Sequence, residues 1–308
     1  MVGPVMNQKI PQQCAQREVA GAFESAVILF QQLAAAEADI VSDTGGSILL
    51  THGKRTARAY ILIHGTTNSP TQLLEYGRHF LDLGHNVFIP RMPCHGLRSG
   101  QVSELAQLSV NDLRNFGHDV ADIGVGLGDE LVLIGASGGA TVAAWMAIKC
   151  PQVERTLLLV PFFGFYGLPD RLTNLIMKLL LRLPDWAVHR SGEKNRPWAY
   201  PGQSTRGIAA FLVLANEVLG EAAEGNAPEG EIIVVTTSND NLANNGTTAR
   251  LVKMWRKAGT NVKHFDFERA RSIPHNTVDP AADPDVRQQV FRKMLVLLGE
   301  FDRDEKRL

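Results

Sequence analysis

The stretch Leu131-Val132-Leu133-Ile134-Gly135-Ala136-Ser137-Gly138-Gly139-Ala140-Thr141 decides how this chain is read. Its four opening apolar residues predict a buried strand, and Gly139 to Lys149 predicts a helix that ends at Pro151. Between them lies Gly135-Ala136-Ser137-Gly138-Gly139, a G-x-S-x-G pattern. A sharp strand-to-helix turn lifts a serine hydroxyl above the sheet, the arrangement known as a nucleophile elbow. Positions 135 and 139 must be small, because a side chain there would collide with the adjoining strand and helix. The helix N-terminus aims partial positive charge at an oxyanion forming beside the serine. The blander reading is a glycine-rich turn that merely ends a strand; the flanking periodicities favour the elbow.

Outward from this turn, two periodicities alternate. Strands are predicted at 59–63, 86–90 and 155–160, and helices at 70–83 and 111–123. Strands apolar on both faces and separated by helices imply a mostly parallel sheet covered on both sides. The rhythm breaks over 161–229, where Phe162-Phe163, a helical 172–183, Trp198-Ala199-Tyr200-Pro201 and a helical 206–219 follow one another. It resumes with a strand at 231–236, a helix at 247–257, a strand at 263–267 and a terminal helix at 284–301. The expected organisation is an N-terminal helical extension (1–44, with an amphipathic helix over 16–38), a core (45–160), a mainly helical cap (161–229) and the rest of the core (230–308).

A serine needs a base, and the base needs an acid to hold its tautomer. His275, in Ser272-Ile273-Pro274-His275-Asn276, falls in the loop between the last strand and the terminal helix, at the carboxyl edge where open α/β sheets bind ligands. His79, His85 and His118 sit on or beside helices and read as packing or surface residues. Asp240 follows the sixth core strand by a few residues and reaches the same edge. Asp266 lies inside a strand, and Asp279 and Asp283 come after His275, out of the order Ser…acid…His. Ile63-His64-Gly65-Thr66-Thr67 follows an early strand, and its glycine lets the chain turn back. The backbone N–H groups of Thr66 and Gly138 are therefore the expected oxyanion donors. His64 is expected to be structural, bonded to nearby backbone.

Three segments taken in order, Ile63-His64-Gly65-Thr66-Thr67-Asn68-Ser69-Pro70, Pro90-Arg91-Met92-Pro93-Cys94-His95-Gly96 and Gly135-Ala136-Ser137-Gly138-Gly139, resemble α/β-hydrolases of the carboxylesterase and monoacylglycerol-lipase type. The resemblance continues through Asp240 and His275 and covers about residues 45–300. It implies the α/β-hydrolase fold, a cap after the sixth strand, and serine ester hydrolysis without a cofactor. Two positions depart from the family pattern. Cys94 stands where glycine is usual, and Gly138 stands where a bulkier residue is common after the nucleophile.

Within the expected cap, Leu172, Leu175, Ile176, Leu179, Leu180 and Leu183 form a wide apolar face. Thr67, Phe162, Phe163 and Tyr166 are the expected substrate contacts. The 308 residues carry 31 basic and 32 acidic side chains and 44% hydrophobic residues, so the chain is globular and has no general electrostatic reason to bind nucleic acid or an anionic membrane. No apolar run approaches the ~18 residues of a membrane span. No P-loop is present, Gly124-Val125-Gly126-Leu127-Gly128 precedes a strand instead of following one, and no H-E-x-x-H or Cys/His pairing suggests a metal. Cys14, Cys94 and Cys150 form no paired framework, which suits reduced thiols in the cytoplasm. The predicted function is a serine hydrolase of small-molecule carboxylic esters. Thioester or amide hydrolysis by the same residues, or a non-catalytic binding protein on the same fold, are the alternatives.

Overall fold

The computed structural model describes residues 22–189 and 196–301. Cys14, Val19 and the start of the predicted first helix lie outside them. In chain order the elements are α1 (Ala22–Glu37), β1 (Ile48–Leu50), β2 (Thr56–Ile63), α2 (Leu74–Asp82), β3 (Asn86–Ile89), α3 (Val110–Leu127), β4 (Gly128–Ala136), α4 (Gly138–Lys149) and β5 (Arg155–Leu159). They continue with α5 (Asp170–Arg182), β6 (Ala187–His189), β7 (Gly202–Ser204), α6 (Thr205–Glu224), β8 (Glu231–Thr237), α7 (Asn245–Lys257), β9 (Val262–Phe267) and α8 (Pro284–Leu298).

Seven strands form one sheet in the order β1-β3-β2-β4-β5-β8-β9. β1 runs antiparallel to β3 at one edge, and the other neighbours are parallel. The period of two sorts side chains to opposite faces. Ala59, Ile61 and Ile63 join α3, α4, α6 and α7 in one apolar cluster, while Tyr60 and Leu62 join α2 and α8 in another. Both faces are dry, which is why these strands read as unbroken apolar runs. Among the described residues no helix is long and apolar enough to cross a membrane.

Three boundaries differ from the sequence reading, each for a packing reason. α3 was expected to stop at Ile123 but continues to Leu127 through two glycines. There α1 crosses so closely that a Cβ on Gly126 would strike the Ala22 carbonyl and the Ala26 methyl. Residues 70–73 form a 3-10 turn started by Pro70 before α2 begins. The expected cap ends at 229, yet α6 packs its buried side, including Ala210, Leu214 and Val218, into the same cluster as α4. That helix therefore packs with the core layer.

The far end of α8 is pinned by charge. Glu300 takes hydrogen bonds from Arg58 at 2.5 Å, from His85 at 3.0 Å and from the Tyr60 hydroxyl. Burial opposes ionisation of this carboxyl, but the bonds from His85, Tyr60 and Arg58 outweigh it and hold Glu300 down at about 2.

Candidate active site

β4 runs straight into α4 with a single residue between them, Ser137. Its φ of 53° lies in the left-handed region that favours glycine, so the turn carries strain. The two flanking glycines make the turn possible. A Cβ on Gly135 would strike the Gly139 carbonyl and Ala140 at the start of α4, and one on Gly139 would strike the Ile63 and His64 carbonyls at the end of β2. Ser137 is tied to the next strand, its N–H donating to the Leu159 carbonyl at 2.9 Å. Val160, immediately beyond β5 and also on the site's wall, has φ 42°, an outlier for a β-branched residue.

Three predicted side chains meet here. The His275 ring places Nε2 2.8 Å from Ser137 Oγ and Nδ1 2.7 Å from Asp240 Oδ2. With the carboxylate facing Nδ1, that nitrogen carries the proton, and Nε2 accepts from the serine hydroxyl. The Asp240 side chain is fully enclosed. Its second oxygen accepts the Leu242 and Ala243 N–H groups, each at 2.8 Å, so the carboxylate is fixed in direction before it meets the ring. All three residues sit past the carboxyl ends of β4, β8 and β9, as the parallel sheet requires.

The rival residues are occupied elsewhere. Asp266 accepts from Thr236 and Ser238, Asp279 pairs with Arg196 at 2.7 Å, and Asp283 caps α8. His79 packs on Phe291, His85 bonds Glu300, and His118 faces Cys150. His64 is fully buried and bonded to backbone, with Nδ1 toward the Gly65 carbonyl and Nε2 accepting the Met92 N–H. Burial, reinforced by the neighbouring His95, holds its pKa well below the ordinary value, so it stays neutral.

Thr66 and Gly138 are adjacent in space: a Cβ on Gly138 would collide with the Thr66 methyl and lie 3.2 Å from the Phe211 ring. The room that a larger residue at 138 would take is thus already filled from two sides. Among the described residues neither the Thr66 nor the Gly138 N–H has a protein acceptor. The other departure has a backbone reason. Cys94 keeps φ 64°, the conformation that a glycine adopts freely, and burial pushes its thiol up to about 11.

A cavity of about 350 Å³ opens on Ser137 and His275. Thr67 and Phe162, both expected, line it. The other two expected contacts do not. Phe163 turns into the core and is 2% exposed, while Tyr166 stands on the outer surface and is 57% exposed. Their places on the wall are taken by Phe165, Leu180, Val188, Ile208 and Leu242. The last four come from α5, β6, α6 and the loop after Asp240, whose meeting has no local sequence signal. Gln72 and Gln203 also line the cavity and were not anticipated.

The segment 196–204 is fastened to the loop that carries Thr66. Tyr200 N–H donates to the Thr67 carbonyl at 2.7 Å, and Ser69 N–H donates to the Trp198 carbonyl at 2.8 Å. Thr66 Oγ1 donates to Gln203 Oε1 at 3.2 Å.

A profile of the alpha/beta hydrolase family matches residues 60–303, and the chain belongs to that family. Among solved structures, one reported for the metagenome-derived lipolytic enzymes LipS and LipT superposes with a TM-score of 0.62 at 15% identity, over 85% of this chain and 100% of that one. The Paleococcus ferrophilus monoacylglycerol lipase gives 0.63 at 14% identity over 82% and 97%. A soluble variant of the Saccharomyces cerevisiae monoglyceride lipase gives 0.62 at 14% identity over 82% and 91%. At such identities the likeness is one of fold. A comparison with curated proteins finds no match.

Proposed function

We propose that this protein is a serine hydrolase of carboxylic esters, working without a cofactor. The observation that carries the reading is the unbroken chain of hydrogen bonds from Ser137 through His275 to Asp240, at 2.8 and 2.7 Å, on the wall of a largely apolar cavity. His275 takes the hydroxyl proton as Ser137 attacks the ester carbonyl. The Thr66 and Gly138 N–H groups receive the oxyanion of the tetrahedral intermediate. The imidazolium, steadied by Asp240, then protonates the departing alcohol, and water repeats the cycle to free the acid. Residues from 161–189 and 196–204 border the site, and Phe162, Phe165, Leu180 and Val188 receive apolar parts of the substrate. The thiol of Cys94 fits a reducing, cytoplasmic setting.

A fluorophosphonate reporter and a panel of p-nitrophenyl esters of rising chain length test this together. Labelling and turnover are expected in the native protein and are expected to vanish in Ser137→Ala. A folded native protein that neither labels nor turns over any ester overturns the reading in favour of a binding protein.

A further inference from the structure

The polar part of the cavity wall is uncharged among the described residues. Apart from His275, none of those that line it can carry charge near neutral pH; its polar members are serine, threonines and carboxamides. Gln72 is the best defined of these. It is 6% exposed and held on the 3-10 turn begun by Pro70, and its Oε1 accepts the Gly65 N–H at 2.9 Å. An amide that faces an N–H must present oxygen to it, so its orientation is settled by the backbone. Its NH2 group is left at the cavity with no partner among the described residues. Gln203 also lines the cavity, but its Oε1 accepts from Thr66 and its Nε2 has no exposed surface. Gln72 thus brings an uncommitted donor to the cavity that holds the candidate nucleophile.

An enclosed donor without a partner favours a ligand that supplies an acceptor. The absence of an opposing cation or anion disfavours a ligand that carries net charge, because nothing there would replace its hydration. We propose that Gln72 is a specificity-determining residue that selects uncharged esters bearing a second oxygen acceptor, such as an ether, hydroxyl or further carbonyl, a few bonds from the scissile ester. This rests on the ester-hydrolase reading above. It goes beyond it by assigning the cavity's chemistry to a class of substrate.

The test compares isosteric pairs in which one methylene becomes an ether oxygen. On the acyl side the pair is p-nitrophenyl hexanoate and p-nitrophenyl 4-methoxybutanoate. On the alcohol side it is butyl butanoate and 2-methoxyethyl butanoate. The native enzyme is expected to favour the ether member of at least one pair by about tenfold in kcat/KM. Gln72→Met is expected to bring that ratio close to one. So is Gln72→Glu at pH 8, which keeps an acceptor for the Gly65 N–H but removes the donor. A merely structural role would slow both members alike and leave the ratio untouched. Native ratios of one in both pairs, or a preference that survives both substitutions, overturn the inference while ester hydrolysis stands. Absence of turnover for all four esters, with no fluorophosphonate labelling, overturns both.

Discussion

Adding one carbon at Gly138 probes the packing on which the oxyanion donors depend. In Gly138→Ala the new methyl falls closer to the Thr66 methyl than real Cβ atoms approach, while Phe211, at 3.2 Å, need give only a few tenths of an ångström. The Thr66 side chain cannot swing freely, because its hydroxyl is bonded to Gln203 and its carbonyl accepts from His95 Nε2 at 2.8 Å. The expected cost is that of overpacking, about 1–3 kcal/mol. Displacing the Thr66 loop should also lower kcat by about 10- to 100-fold, the scale of a misplaced oxyanion donor. Thr66→Ser removes the obstructing methyl but keeps the hydroxyl, at a cost of about 1 kcal/mol. In that background Gly138→Ala should cost under ~0.5 kcal/mol, a coupling of roughly 1–2 kcal/mol, and kcat should recover to within a few-fold. Urea unfolding of the four proteins, with ester hydrolysis in parallel, measures both terms. An equal penalty for Gly138→Ala with and without the Thr66 methyl would refute the argument.

Four further outcomes follow from the geometry. Ser137→Gly should be about 1 kcal/mol more stable than Ser137→Ala, because only glycine relieves the positive φ; equal midpoints in denaturant would contradict the strain. Asp240→Asn should preserve the fold yet reduce kcat by about 10³- to 10⁴-fold, since an amide favours the wrong ring tautomer, and a loss below tenfold would remove Asp240 from the mechanism. His64 and His95, both fully buried, are lowered from 6.5, chiefly by burial, so their contribution to stability is complete above that value and declines as pH falls below it. A flat unfolding free energy between pH 6.5 and 5 would argue against it. Glu300, held at about 2 against an ordinary 4.5, stabilises the fold above 4.5 and loses that effect as pH drops toward 2. The shift caps this at about 3 kcal/mol, and solvent screening lowers it to about 1–2. Glu300→Gln should show that loss in urea unfolding at pH 7, and no change there would dismiss the network.

What was readable in the sequence, and what was not, divides along the range of the interactions involved. β2, β4 and the turn at Ser137 were legible because buried parallel strands and a strand-to-helix turn impose composition on neighbouring residues. Ser137, Asp240 and His275 were legible as a set because each follows a strand, and every parallel strand ends at the same edge. The cavity wall was not. Phe162 and Phe165 face the site while Phe163 faces the core, and that division depends on how the chain leaves β5. Val188 and Gln203 reach the wall from the paired β6 and β7 strands and Ile208 from α6, elements remote in sequence from Ser137. The packing partner of α6 was not legible for a related reason: an amphipathic pattern tells that a helix has a buried side, not which layer buries it.

The bonds that join Tyr200 to Thr67 and Trp198 to Ser69 bear on how substrate reaches Ser137. A cover hinged at this point could not lift without pulling on the loop it is stitched to, so admission and readiness for chemistry would compete. The Leu242 rim is tied as well, Tyr166 N–H donating to the Leu242 carbonyl and Asn244 N–H to the Gly164 carbonyl, each at 2.9 Å. Passage would then depend on side chains giving way between two anchored margins.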